Sequence, residues 1–142
     1  MSQRFVLLDA NLIIAAYDAE ASVSQEIRQQ AHQIIANLSE DASVKFVTTP
    51  LIRFEVLCGV RNETNFAEIK ALLDSYKLFE LTATEADTAV EIYRLSLQKS
   101  INFKDPVEPK KYKFDLFHVA SAKVNDLELH SSDGRGAIKQ MK

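Results

Sequence analysis

Cysteine is nearly missing from this sequence: Cys58 is the only one, which excludes disulfides within the chain and any cysteine-rich zinc site. Set in Val56-Leu57-Cys58-Gly59-Val60, that thiol reads as a buried structural group and not as a nucleophile. Glycine and proline are scarce, three of each, too few for a long flexible linker, and there is no repeat or low-complexity tract. Long apolar runs are missing as well. Met1-Ser2-Gln3-Arg4 leads into only four apolar residues before Asp9, too short for a signal peptide or a membrane span, so the expectation is a cytoplasmic protein with no membrane contact. Gly-rich phosphate loops, a Ser-His-Asp order and histidine pairs with zinc spacing are all absent. The formal charge of −3 offers no excess of basic residues for nucleic acid, yet two bound divalent ions would bring it to about +1. Net charge therefore leaves the partner open.

What is present is a chain of 142 residues, long enough to bury roughly two thirds of its unfolded surface as a single domain over 1–142. Short apolar runs alternate with helical periodicity. Phe5 to Leu8 reads as a buried strand and Asn11 to about Asp18 as a helix. Ser22 or Ser24 caps a second helix with Ile27, Ala31, Ile34, Ile35 and Leu38 on one face. Val44 to Thr48 is a strand, and Thr49-Pro50 opens a helix running to about Val60. Asn62 or Thr64 starts the next helix, with a short strand near Lys77 to Leu81 after it. Thr82 and Glu85 have capping-box spacing ahead of a long helix with Ala86, Val90, Tyr93 and Leu97 on one face. Residues 102–112 form the one substantial loop, Lys113 to about Asn125 a largely enclosed helix, and Leu127 to His130 a fourth strand. Strands alternating with helices imply an α/β fold, a mainly parallel sheet covered on both faces, whose ligands collect beyond the carboxyl ends of the strands.

Four acids stand where fold-building alone would not put a charge. Asp9 interrupts the apolar stretch Phe5 to Ile14 at a strand end, and Asp133 follows the fourth strand. Glu55 has only Leu51, Ile52, Cys58 and Gly59 at helical spacing around it, so it faces either a site or a distant Arg or Lys. Asp115 lies early in its helix, where an acid also favours the macrodipole whether or not it binds metal. Asp133 precedes Gly134 in a sequence that also makes an ordinary turn. Buried carboxylates are costly unless paired with cations, and hard cations such as Mg2+ or Mn2+ take oxygen ligands from a few acids, water and phosphate. Taken together, the four acids suggest a metal site of the kind that activates water for phosphodiester hydrolysis.

Leu7-Leu8-Asp9-Ala10-Asn11, Phe54-Glu55-Val56-Leu57-Cys58-Gly59, Asp115-Leu116-Phe117-His118-Val119-Ala120-Ser121-Ala122 and Ser131-Ser132-Asp133 together resemble the PIN-domain family, and among its members the VapC-type toxins most closely. The resemblance implies a three-layer α/β/α fold with strand order 3-2-1-4-5. The sequence closes soon after Asp133, at Gln140-Met141-Lys142, so the expectation is order 3-2-1-4, with the fifth strand absent or replaced by a helical turn. It further implies a metal-dependent endoribonuclease with Asp9, Glu55, Asp115 and Asp133 as the catalytic and metal-binding acids, supported by Asn11 and Ser131. A homodimer and a cognate antitoxin, its tail entering the active-site groove, are the implied protein partners.

Around the acids, Lys111 and Lys113, with Lys110 and Tyr112, either contact RNA or form a solvated loop. Arg53, Arg61 and Arg135 either bind a substrate phosphate or pair with a nearby acid. His118 reads as a hydrogen-bonded packing residue or a proton-transfer group, while His32 and His130 read as structural. Asn11 either caps the first helix or supports the site. Two further functions compete with the nuclease. One is a receiver-like Mg-binding signalling module, which wants an acidic pair after strand one and an Asp after strand three. The other is a non-catalytic PIN-fold scaffold for RNA or protein.

Overall fold

Arg4–Leu8 forms β1, and its apolar run explains its place: Val6, Leu7 and Leu8 are fully buried, as a strand covered on both faces requires. In the computed structural model, which describes residues 3–102 and 113–131, β1 pairs in parallel with β2 (Val44–Thr48) on one side and β4 (Glu128–His130) on the other. β2 in turn pairs with a two-residue β3 (Lys77–Leu78), giving the order β3-β2-β1-β4 expected for this architecture. The stretch after Ser131, expected to hold no fifth strand or a helical turn in its place, falls outside the described residues.

Helices fill the crossovers: α1 (Ala10–Tyr17) and α2 (Gln25–Ser39) after β1, α3 (Pro50–Leu57) and α4 (Glu63–Ser75) after β2, and α5 (Ala83–Asn102) and α6 (Lys113–Val124) before β4. Local chemistry starts most of them. The side chains of Ser24, Thr49 and Asn62 accept from Ile27 N, Ile52 N and Asn65 N, and Pro50 stands in the first turn of α3. Thr82 and Glu85 close a capping box, Glu85 accepting from both the backbone N–H and the hydroxyl of Thr82. At the far end of α6, Asp126 takes a left-handed φ of 55° and Leu127 N donates to Ala122 O, the Schellman turn that feeds the chain into β4.

The main core joins β1 and β2 to α1, α2, α3 and α4 through Leu12, Ile13, Ile35, Val47, Ile52, Val56, Ile69 and Leu73. A second cluster, Ala89, Leu116 and Ala120, packs α5 on α6. Three local expectations differ from the structure. Helix α1 begins at Ala10 with Asp9 as its N-cap residue, so Asn11 is not the cap. Val90 is exposed, while Ala89, with Ile92 and Tyr93, carries the packing of α5 on α6. Asn102, assigned to a loop by the sequence reading, closes α5, while 103–112 and the tail from Gly134 lie outside the described residues.

Candidate metal centre

The order β3-β2-β1-β4 changes direction between β1 and β4, and the chain's acids gather beyond that point. Asp9 follows β1 directly. Its backbone N–H donates to His130 O at 2.9 Å and its carbonyl accepts from Leu12 and Ile13, which ties the residue to β4 and to the start of α1. The side chain makes no capping bond, so the carboxylate is left for the site, where Oδ2 accepts from Ser131 Oγ at 3.1 Å. It is only 1 % exposed.

Glu55 reaches the same place from α3, whose Ile52 and Val56 are buried in the core on either side of it. Asp115 and His118 come from one face of α6, a turn apart. One ligand atom from each of Asp9, Asp115 and His118 lies within 4.8 Å of the others. His118, 1 % exposed, stands between carboxylates: Nε2 is 2.5 Å from Glu55 Oε1 and 3.7 Å from Asp9 Oδ1. Among the described residues Glu55 is therefore paired with a histidine, not with the Arg or Lys of the alternative reading.

Burial pushes the Asp9 carboxyl above its ordinary value, against the downward pull of the His118 imidazole, the Ser131 hydroxyl and the Ala10 N–H, while the neighbouring Glu55 pushes it further up. Asp9 and His118 are buried, Asp115 and Glu55 partly so, and Glu55 joins the group of Asp9, Asp115 and His118 through its contact with the imidazole. The donor set of Asp9 and Asp115 suits a hard divalent cation that keeps some of its water. His118, whose nitrogen faces Glu55, is better placed to orient an acid than to lend a lone pair.

Arg53 pairs with Asp74 at 2.8 Å, the nearby-acid reading, and Asp74 also holds Lys70 at 3.1 Å. Asn11 is exposed in the first turn of α1. Cys58 is exposed at the end of α3, which corrects the buried-thiol expectation: α3 stops at Leu57, and Cys58 and Gly59 face outward between Leu57 and Val60, which pack against the core. His32 packs edge-on to Tyr17, and His130 lies 3.6 Å from Glu128. Asp133, Lys111 and Arg135 lie outside the described residues, as does the Lys113 side chain. His118 is the residue that sequence reasoning undervalued. Its signal was the three-residue step from Asp115, which puts both on one helix face.

A family model for the PIN domain matches residues 6–141. Among curated proteins none matches. Two solved structures share the fold. A toxin-antitoxin complex from Klebsiella pneumoniae aligns with a TM-score of 0.61 at 15 % identity, over 92 % of this chain and 88 % of that one. A DNA-bound VapBC from Salmonella typhimurium aligns with a TM-score of 0.58 at 14 % identity, over 92 % of this chain and 99 % of that one. Neither the family nor the observed topology suits a receiver module: β1 is followed by the single Asp9, and β3 leads into Phe79-Glu80-Leu81-Thr82 with no aspartate. Among the described residues no helix is long and apolar enough to cross a membrane.

Proposed function

Because this chain belongs to the PIN-domain family, we propose that it is a cytoplasmic metal-dependent endoribonuclease, acting with Mg2+ or Mn2+ as the toxin of a type II toxin-antitoxin pair. The observation that carries the reading is the approach of Asp9, Asp115 and His118 to within 4.8 Å at the strand ends. Asp9 and Asp115 hold the ion in this reading, with Glu55 and Asp133 completing the acidic set. A bound divalent ion neutralises phosphate charge and makes an attacking water more acidic. The chain's own groups prepare the place. Ser131 fixes the Asp9 carboxylate, α6 sets Asp115 and His118 on one face, and burial keeps bulk water from screening Asp9.

RNA phosphates fall to Lys111, Lys113 and Arg135, while Arg53 is left out because Asp74 occupies its guanidinium. The two similar toxin-antitoxin structures support a protein antitoxin as partner. Exposed Phe54 and Val90 offer apolar surface for that partner or for a second copy of the chain in a homodimer. The deciding experiment compares RNA cleavage by the parent and Asp9→Asn proteins in Mn2+. The variant keeps its circular dichroism spectrum and loses at least about a hundredfold in rate. Cleavage at the parent rate would sink the assignment, and the non-catalytic scaffold would then be the better account.

A further inference from the structure

We propose that His118 is the positioning residue of this centre: its ring N–H holds the Glu55 carboxylate beside Asp9, so that Glu55 meets a cation in one fixed orientation. The inference deepens the nuclease reading and rests on it. An ionised carboxylate only accepts hydrogen bonds, so the nitrogen 2.5 Å from Glu55 Oε1 carries a proton. A protonated Nε2 has no lone pair to give an ion, so through this nitrogen His118 acts on Glu55 and not as a ligand.

Glu55 is the acid that needs such help. Its side chain is long, 23 % exposed, and projects from α3, so a free Glu55 has both the room and the rotamer entropy to swing toward solvent. Asp9 is short and already held by Ser131 and by its backbone bond to β4. Asp115 shares α6 with His118. Leu116 and Ala120 anchor that helix to α5. The buried imidazole thus transfers the rigidity of α6 to an acid on a different helix.

Calorimetric titration of the full chain with Mn2+ tests this. His118→Leu should weaken Mn2+ binding about tenfold or more, as loss of an orienting partner does. His118→Gln, whose amide N–H can still reach Glu55, should stay within about threefold of the parent. In a Glu55→Ala background, His118→Leu should cost no more than about twofold, because the residue through which it acts is gone. An undiminished loss in that background would overturn the proposal, as would nitrogen hyperfine coupling from the His118 ring to bound Mn2+, which would make it a ligand. If the leucine variant does not fold, ring nitrogen shifts decide: the protonated Nε2 signal should move on Glu55→Gln, and an unmoved signal would overturn the idea. Failure of the parent to bind Mn2+ would take down the nuclease reading itself, whereas the other adverse results leave that reading standing.

Discussion

Asp9 carries opposing demands from folding and from chemistry. Burial and Glu55 raise its carboxyl, so over a range of pH the folded chain keeps a proton that the unfolded chain has already lost. Stability therefore falls as pH rises from the ordinary aspartate range through the raised value, and the charged form costs the fold at neutral pH. Asp9→Asn removes that cost while its amide oxygen can still accept from Ser131. Without metal at pH 7, the variant should melt a few degrees above the parent. A melting point at or below the parent's would show that His118 and Ser131 already compensate the charge. The sequence displayed this conflict at Asp9 itself, because an acid in an apolar run is visible locally. The partner was not visible. Glu55 and His118 are 63 positions apart, and no local pattern links them.

At the scale of elements, the joints between helices carry the stability that a mutation can reach. Arg28 of α2 donates to the carbonyls of Ala15, Asp18 and Ala21 at 3.1, 2.9 and 3.4 Å, closing the end of α1 with a positive charge where the helix dipole favours one. Arg28→Ala should cost about 2 kcal/mol, since bonds from a charged donor are lost and buried carbonyls are left open. The urea midpoint should fall with an unchanged m-value, and Arg28→Lys should recover only part of the loss, a point charge being no substitute for the fork. Glu85 does the same work at the start of α5, binding Thr82 and Asn125, and those bonds hold its carboxyl down to about 2. The sign is the reverse of Asp9. Its contribution is full above the ordinary glutamate value and is lost as pH falls toward about 2. Glu85→Gln should lower stability at pH 7 by about 1 kcal/mol and flatten the parent's decline in acid. The caps at Thr49 and Thr82 were legible, and those at Ser24 and Asn62 as one of two candidates each, because a cap is a matter of a few neighbouring residues. The buried side of α5 was not. Val90 fits the apolar stripe by spacing, yet the packing on α6 runs through Ala89, Ile92 and Tyr93 and leaves it exposed.

Over the whole molecule, the candidate metal centre draws on parts of the chain far apart in sequence. Asp9 ends β1, Ser131 follows β4, Glu55 comes from α3, and Asp115 and His118 come from α6. Alternating strands and helices made the parallel sheet legible, and parallel order sends Asp9 and Ser131 to the same edge. Which helices would lean over that edge depends on crossovers that composition does not encode. A ligand binding only the assembled centre must stabilise the entire fold, because every contributor is dispersed once the chain unfolds. Mn2+ at a hundred times its Kd should therefore add about 2.7 kcal/mol to unfolding, or roughly 8 °C in Tm. The shift should appear equally in far-ultraviolet and near-ultraviolet signals, the mark of a single cooperative transition. Asp9→Asn should show little of it, and matching the ionic strength with NaCl should not reproduce it in the parent. An equal shift in the variant would mean that the ion acts on the general surface charge and not at the strand ends.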